Sequence, residues 1–322
     1  MSGCDCHVGD VGSSASSVPR RTFLKQMMAG GLALAGSSVL RSSRGAVEAR
    51  PEKRLPTIRL GDKTVTRLIA GYNPIGGYSH STRKLAEHMR SFFTVERTTD
   101  FFLHCEEEGI TTWQGDYTPK VRDALRGAWE RGSKMQWLCL TSEQKGDLKD
   151  ALALKPIAVV HHGGVTDNMF HTGQQEKIHD FVKKVHDAGV MAGVSTHNPD
   201  HLARVEEAGW ENDLYMTCFY NVSRTADEIE KMIGDQVVGE LYLESDPRKM
   251  TERVRQVKKP CLGFKILAAG RLCWNMPSIE RAFAFAYANI KPTDAAIVGM
   301  YPVFSDEVQE DADLARKYAK RT

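Results

Sequence analysis

From Val65 to Met300 the chain alternates between two hydrophobic rhythms. Short apolar runs, often closing on polar residues or glycine, are separated by longer stretches with helical spacing. The runs are VTRLIAG (65–71), GITTWQG (109–115), MQWLCLTS (135–142), IAVVHHGG (157–164), VMAGVSTHN (190–198), LYMTCFYN (214–221), PCLGFKILAAG (260–270) and AAIVGM (295–300). Short apolar segments bounded by turn residues predict strands. Between them, QQEKIHDFVKKVHDAG (174–189) places Ile178, Phe181, Val182 and Val185 on one helical face and stops at Gly189. NPDHLARVEEAG (198–209) offers Asn198 as a cap before Pro199, with Leu202 and Val205 facing inward. Two more helices are predicted over 277–289 and 306–319. Residues 222–258 hold two helical segments, so one connection carries an insertion.

A strand followed by a helix, eight times over, is the rhythm of a closed (β/α)8 TIM barrel. The competing architecture, an open doubly wound sheet, has fewer strands and often an early glycine-rich phosphate turn. The first turn here, GYNPIGGYSH, is not of that type. A barrel binds ligands at the C-terminal ends of its strands. Those ends carry Tyr72 and Asn73, then Gln114, Asp116 and Tyr117, then Thr141, Ser142 and Glu143. They continue with His161 and His162, then Thr196, His197 and Asn198, then Tyr220 and Asn221, then Lys265, and finally Met300 and Tyr301. A lysine and several histidines converging there predict a small-molecule site.

The N-terminus changes the picture of the whole chain. Adjacent Arg20 and Arg21 precede Phe23, Leu24 and Lys25, and a Gly- and Ala-rich apolar stretch runs from Met27 to Leu40. This layout resembles a twin-arginine export signal, with a small-residue cleavage site at Val47-Glu48-Ala49. The alternatives are an amphipathic first helix or a membrane anchor, but the run is short for a span. The expected organisation is a signal over 1–49 and one barrel domain over 50–322, exported to the periplasm or another extracytoplasmic space. The expected partners are the twin-arginine machinery and a small-molecule substrate, with no stable membrane anchor. Without the signal, the Lys/Arg and Asp/Glu counts are equal, so nothing in the charge points to nucleic acid. Cys4, Cys6 and His7 look like a metal cluster but precede the arginine pair. The other cysteines (Cys105, Cys139, Cys218, Cys261 and Cys273) are scattered and odd in number, which argues against a disulfide framework.

Strand alternation constrains the histidine pair. Consecutive side chains point to opposite faces, so only one of His161 and His162 can face the barrel axis. His161 is the preferred inward residue. A divalent metal would need one of the pair with His197, and Asp116 or Glu244 as carboxylate; the set His161, His197 and Asp116 is the candidate. Lys265, after an apolar strand, can serve as a base or Schiff-base nucleophile, or simply pair with Asp116 or Glu244.

From about residue 57 onward the chain resembles the aldo/keto reductase superfamily. The resemblance rests on IRLGDKTVTRLIAGYNPIGG, EEEGITTWQG, and VHDAGVMAGVSTHNPDHLARVEEAG followed by LYMTCFYN, with KPCLGFKILAAG and AAIVGM toward the end. It implies a barrel oxidoreductase that uses NAD(P) on a small carbonyl or sugar substrate. It also implies a catalytic set of Asp, Tyr, Lys and His, which is degenerate here. The aspartate position falls on Gln114, and Tyr117 is a tyrosine candidate out of register. The lysine position falls near Ser142, with Lys145 too far along. The histidine position falls on His161 or His162. For the cofactor the resemblance implies Thr196 with Asn198, the sixth-strand end at Tyr220 and Asn221, and Phe264 as the aromatic under the nicotinamide. Gln114 joins this group. Met300 and Tyr301 stand where a basic residue often holds a 2′-phosphate. Two other readings stay open. One is an acid/base enzyme using Lys265, His161, His197 and Asp116, with or without a metal, on a carbohydrate-like substrate. The other is a non-catalytic binding barrel.

Overall fold

The computed structural model describes residues 53–144 and 148–320. The signal-like segment, the CDCH cluster and Lys145 lie outside the described residues. All eight predicted strands form, and they close into one parallel barrel. A two-stranded hairpin comes first, β1 (Thr57–Leu60) and β2 (Lys63–Thr66). The barrel strands follow: β3 (Leu68–Gly71), β4 (Thr112–Gly115), β5 (Gln136–Thr141), β6 (Ala158–His161), β7 (Met191–Thr196), β8 (Leu214–Cys218), β9 (Cys261–Phe264) and β10 (Ala295–Gly299). Each pairs with its sequence neighbour, and β10 returns to β3, so no barrel edge is left open. The protein is a (β/α)8 TIM barrel.

The connections are α1 (Asn73–Gly76), α2 (Arg83–Phe92) and α3 (Val95–Glu107) after β3, then α4 (Pro119–Glu130) and α5 (Leu148–Leu152). After β6 come α6 (Gly163–His171) and α7 (Glu176–Asp187), and after β7 comes α8 (Pro199–Glu207). The insertion after β8 holds α9 (Ala226–Ile233) and α10 (Asp246–Gln256). The last two are α11 (Met276–Asn289) and α12 (Glu307–Tyr318). Local signals explain the boundaries. Asn198 accepts from the Asp200 amide ahead of α8, with Pro199 at its start. Thr225 and Glu228 form a reciprocal capping box on α9. In α7, Ile178, Phe181, Val182 and Val185 are all buried, as the spacing predicts.

Two apolar clusters fix which face each strand residue takes. Ile69, Leu138, Ala158, Val160, Leu214, Met216, Leu262 and Ile297 fill the barrel axis, and Ile58, Leu60 and Val65 of the hairpin join them. The hairpin therefore closes the N-terminal end of the barrel. Alternate residues (Trp113, Trp137, Val159, Val194 and Tyr215 among them) pack outward under the helices. With that end plugged, the strand ends open to a ligand among the described residues are those of the opposite rim.

Candidate active site at the barrel mouth

The register settles the histidine pair, and against the preferred choice. His161 lies opposite Thr141 and Val194, on the outward face, while Val160 before it belongs to the axial cluster. Its ring is fully buried under α6 and α7, edge-on to Phe181, and its Nδ1 is 2.7 Å from the Thr166 hydroxyl. Glu143 Oε2 is 3.9 Å from Nε2, beyond hydrogen-bond reach. Burial pulls the imidazole pKa down to about 4. His161 is therefore a neutral core residue, not a site residue. His162, half-buried and still extended at the start of α6, is the one on the mouth side.

Lys265 belongs to a hydrogen-bonded chain that the sequence did not suggest. Its Nζ lies 3.1 Å from His80 Nε2, which also accepts from Asn73 Nδ2 at 3.0 Å. His80 Nδ1 is 2.8 Å from Glu240 Oε1, and the Tyr242 hydroxyl donates to Glu240 Oε2 at 2.7 Å. With Nδ1–H on the carboxylate, Nε2 is left as the acceptor that Lys265 and Asn73 require. Burial alone would raise the Glu240 carboxyl, but the bonds from His80 and Tyr242 carry it down to about 2, so it stays charged. The four groups come from the loop after β3, the β8–α10 insertion and the end of β9. Lys265 and His80 both hold positive φ, at 58° and 51°, as do Ala268 and Ala269 in the same loop as Lys265. Non-glycine residues reach that region at a cost of about 1 kcal/mol or more, and such strain concentrates at functional sites. Arg271 supports the loop by lying over the Tyr242 ring at 3.9 Å and donating to the His80 carbonyl at 3.2 Å.

A second polar cluster centres on Asp167 of α6, which is 1% exposed. Its carboxylate accepts from Thr196 Oγ1 (2.5 Å), the His197 amide (3.0 Å), His197 Nδ1 (2.8 Å) and His201 Nδ1 (2.8 Å). Burial opposes ionisation there, but the two histidines outweigh it and hold the carboxyl well below its usual range. His197 stands edge-on to Phe264, with ring centroids 5.3 Å apart, and Lys265 Nζ lies 5.6 Å from the same Phe264 ring. Phe264 thus sits between the two clusters at the mouth. Cys218 faces inward beside it by register, and burial pushes its thiol up to about 12, which removes it as a nucleophile.

Several other expected site residues are committed elsewhere. Thr196 faces the helix layer and is spent on Asp167, so it does not reach the mouth. Asn198 caps α8. Asn221 Oδ1 accepts from Ser223, and Tyr220 is buried against Tyr242 with its hydroxyl pushed up to about 12 by burial. Gln114 does point into the barrel, opposite Gly71 and Leu138. Asp116 and Tyr117 lie in the β4–α4 loop. Asp116 raises the neighbouring Tyr72 and Tyr78 hydroxyls beyond what burial does, and Tyr117 sits beside Arg122. The metal set His161, His197 and Asp116 is not assembled, because His161 turns away. Among the described residues no three His, Cys, Asp or Glu side chains are grouped to hold a metal. Lys265 meets His80 rather than pairing with Asp116 or Glu244. The described cysteines are free, and no described helix is long and apolar enough to cross a membrane.

No protein-family model and no curated protein sequence matches this chain. Among solved structures, it is similar to a truncated 3-deoxy-D-arabino-heptulosonate 7-phosphate synthase from Thermotoga maritima, at 14% identity over 83% of this chain and 90% of that one, with a TM-score of 0.46. It is also similar to the glycerol dehydrogenase AKR11B4 from Gluconobacter oxydans, at 13% identity over 83% and 97%, with a TM-score of 0.43. A dihydropteroate synthase from Xanthomonas albilineans gives 12% identity over 81% and 96%, with a TM-score of 0.44. At these identities the likeness is one of fold.

Proposed function

We propose that the barrel mouth is the active site of an enzyme that moves a proton at the oxygen of a small carbonyl or sugar-like substrate, as an NAD(P)-linked oxidoreductase of aldo/keto reductase type. The observation that carries this reading is the chain Lys265–His80–Glu240–Tyr242. It contains a lysine, a histidine and a tyrosine, as the resemblance implies, with a glutamate in place of the aspartate, supplied from different places in the barrel. Lys265 Nζ donates to the substrate oxygen, and His80 takes up and returns protons at Nε2. Glu240, held charged, stabilises the imidazolium while it exists.

A bound nicotinamide supplies the hydride that such a reduction needs. Phe264, half-buried beside Lys265, is the ring it would lie against, and Gly71 and Gly299, paired on adjacent strands, add no side chain to the mouth. Thr196 Oγ1 and the Oδ1 atoms of Asn198 and Asn221 are engaged within the protein, so the carboxamide would need other atoms as partners. A second reading keeps the same proton transfer without nicotinamide, as in a lyase or isomerase on a carbohydrate-like substrate. Fluorescence titration of the full chain with NADH and NADPH decides between them. Saturable binding that weakens in Phe264→Ala supports the oxidoreductase, and no binding of either leaves the second reading.

We also propose that residues 1–49 direct export by the twin-arginine route, on the strength of the Arg20–Arg21 pair and the apolar stretch behind it.

A further inference from the structure

His197 has one ring nitrogen fully assigned and one open. Its Nδ1 and backbone amide both bond the buried Asp167 carboxylate, at 2.8 Å and 3.0 Å. An ionised carboxylate can only accept, so Nδ1 carries a proton, and in the neutral ring Nε2 carries the lone pair. Thr196, His201 and the His197 amide occupy the rest of the carboxylate, which leaves Asp167 no freedom to turn. Among the described residues nothing bonds Nε2. His197 lines a cleft of about 410 Å³ whose walls come from α8, α9 and α10. Polar groups line the cleft as well, with Asn221, Arg224, Lys249 and Arg253 on its walls. Arg224 is paired with the buried Asp246.

We propose that His197 is a second proton-accepting group of this protein, with Asp167 as its positioning residue, and that it acts on the hydroxyl of a polar, sugar-like molecule lying in this cleft. The proposal extends the active-site reading of the mouth, since Lys265 and His197 approach the same Phe264 ring. A substrate oxygen at Lys265 and a neighbouring hydroxyl at His197 would give one molecule two proton-transfer partners. The hydroxyl O–H bond breaks, its proton joins Nε2, the oxygen keeps the electron pair as an alkoxide, and the imidazolium charge is met by Asp167.

The test uses the full chain labelled with ¹⁵N-histidine. In its neutral form His197 is expected to show the tautomer protonated at Nδ1 and bare at Nε2, and its ring is expected to be carbethoxylated at Nε2 by diethyl pyrocarbonate. In Asp167→Asn the tautomer preference should be lost and the carbethoxylation slowed roughly tenfold or more, as when a dyad carboxylate is neutralised. His201→Gln should change neither reading. A wild-type ring protonated at Nε2, or one inert to the reagent, overturns the proposal whether or not Asp167→Asn folds. An unchanged rate in a folded Asp167→Asn overturns it too. Failure of nicotinamide to bind would remove the oxidoreductase reading and leave this result standing.

Discussion

Lys265 and His80 meet at 3.1 Å, Nζ to Nε2, and each does so from a left-handed backbone that its own side chain disfavours. The two residues come from loops at the ends of β9 and β3. These strands flank β10 on either side, so the contact reaches across the last strand of the barrel. Glycine accepts the left-handed region freely. Lys265→Gly should therefore stay within about 1 kcal/mol of the parent in urea unfolding, because relief of strain offsets the lost contact. A loss of several kcal/mol would show that the chain from Lys265 to Tyr242 holds the fold rather than serving chemistry.

Asp167 should behave in the opposite way. It is buried and satisfies four donors, so Asp167→Ala strands two histidine rings, a hydroxyl and an amide. We expect a loss of about 3 kcal/mol or more in equilibrium unfolding. A cost below about 1 kcal/mol would mean that water replaces the carboxylate without penalty.

His161 makes stability depend on mild acid. In the unfolded chain the imidazole takes its proton near 6.5, but in the folded protein only near 4. Between those values the unfolded state binds more protons. The contribution is therefore complete above the unfolded value and is lost as pH falls through the window toward 4. At ~1.4 kcal/mol per pKa unit the loss amounts to about 3 kcal/mol. Unfolding curves at several pH values should show this slope in the parent and lack it in His161→Leu. Equal slopes would place the ring in contact with water.

The export reading has its own check. Arg20→Lys together with Arg21→Lys should leave the chain in the cytoplasm of a host with a twin-arginine system, where the parent is recovered outside it. Equal partition of the two would remove the assignment.

The fold was legible because barrel strands announce themselves. Val159, Val160, Ala192, Val194 and their neighbours are buried on both faces, and the sequence shows this as continuous apolar runs. The helices read equally well from caps such as Asn198 and from the α7 stripe. Of the candidate site, the sequence points to the residues at strand ends, Lys265, His197, Phe264 and Gln114. His161 was misjudged because alternation states that two neighbours differ, not which one faces in; that depends on the register with Thr141 and Val194. His80, Glu240 and Tyr242 lie in loops with no periodicity, far apart in sequence. Asp167 offered one signal, a carboxylate between the apolar Val165 and Met169-Phe170, where a buried charge demands partners.

Proton transfer by Lys265 at the barrel mouth, as proposed, can be tested directly. The most direct measurement is the rate at which the full chain oxidises NADH or NADPH against a panel of small aldehydes, ketones and sugars, for the parent and for Lys265→Met. Carbonyl-dependent oxidation is expected in the parent, with a fall of ~10²-fold or more in the variant, the usual contribution of a positioned acid. Parent turnover that survives Lys265→Met unchanged, or no turnover with any carbonyl, would contradict it.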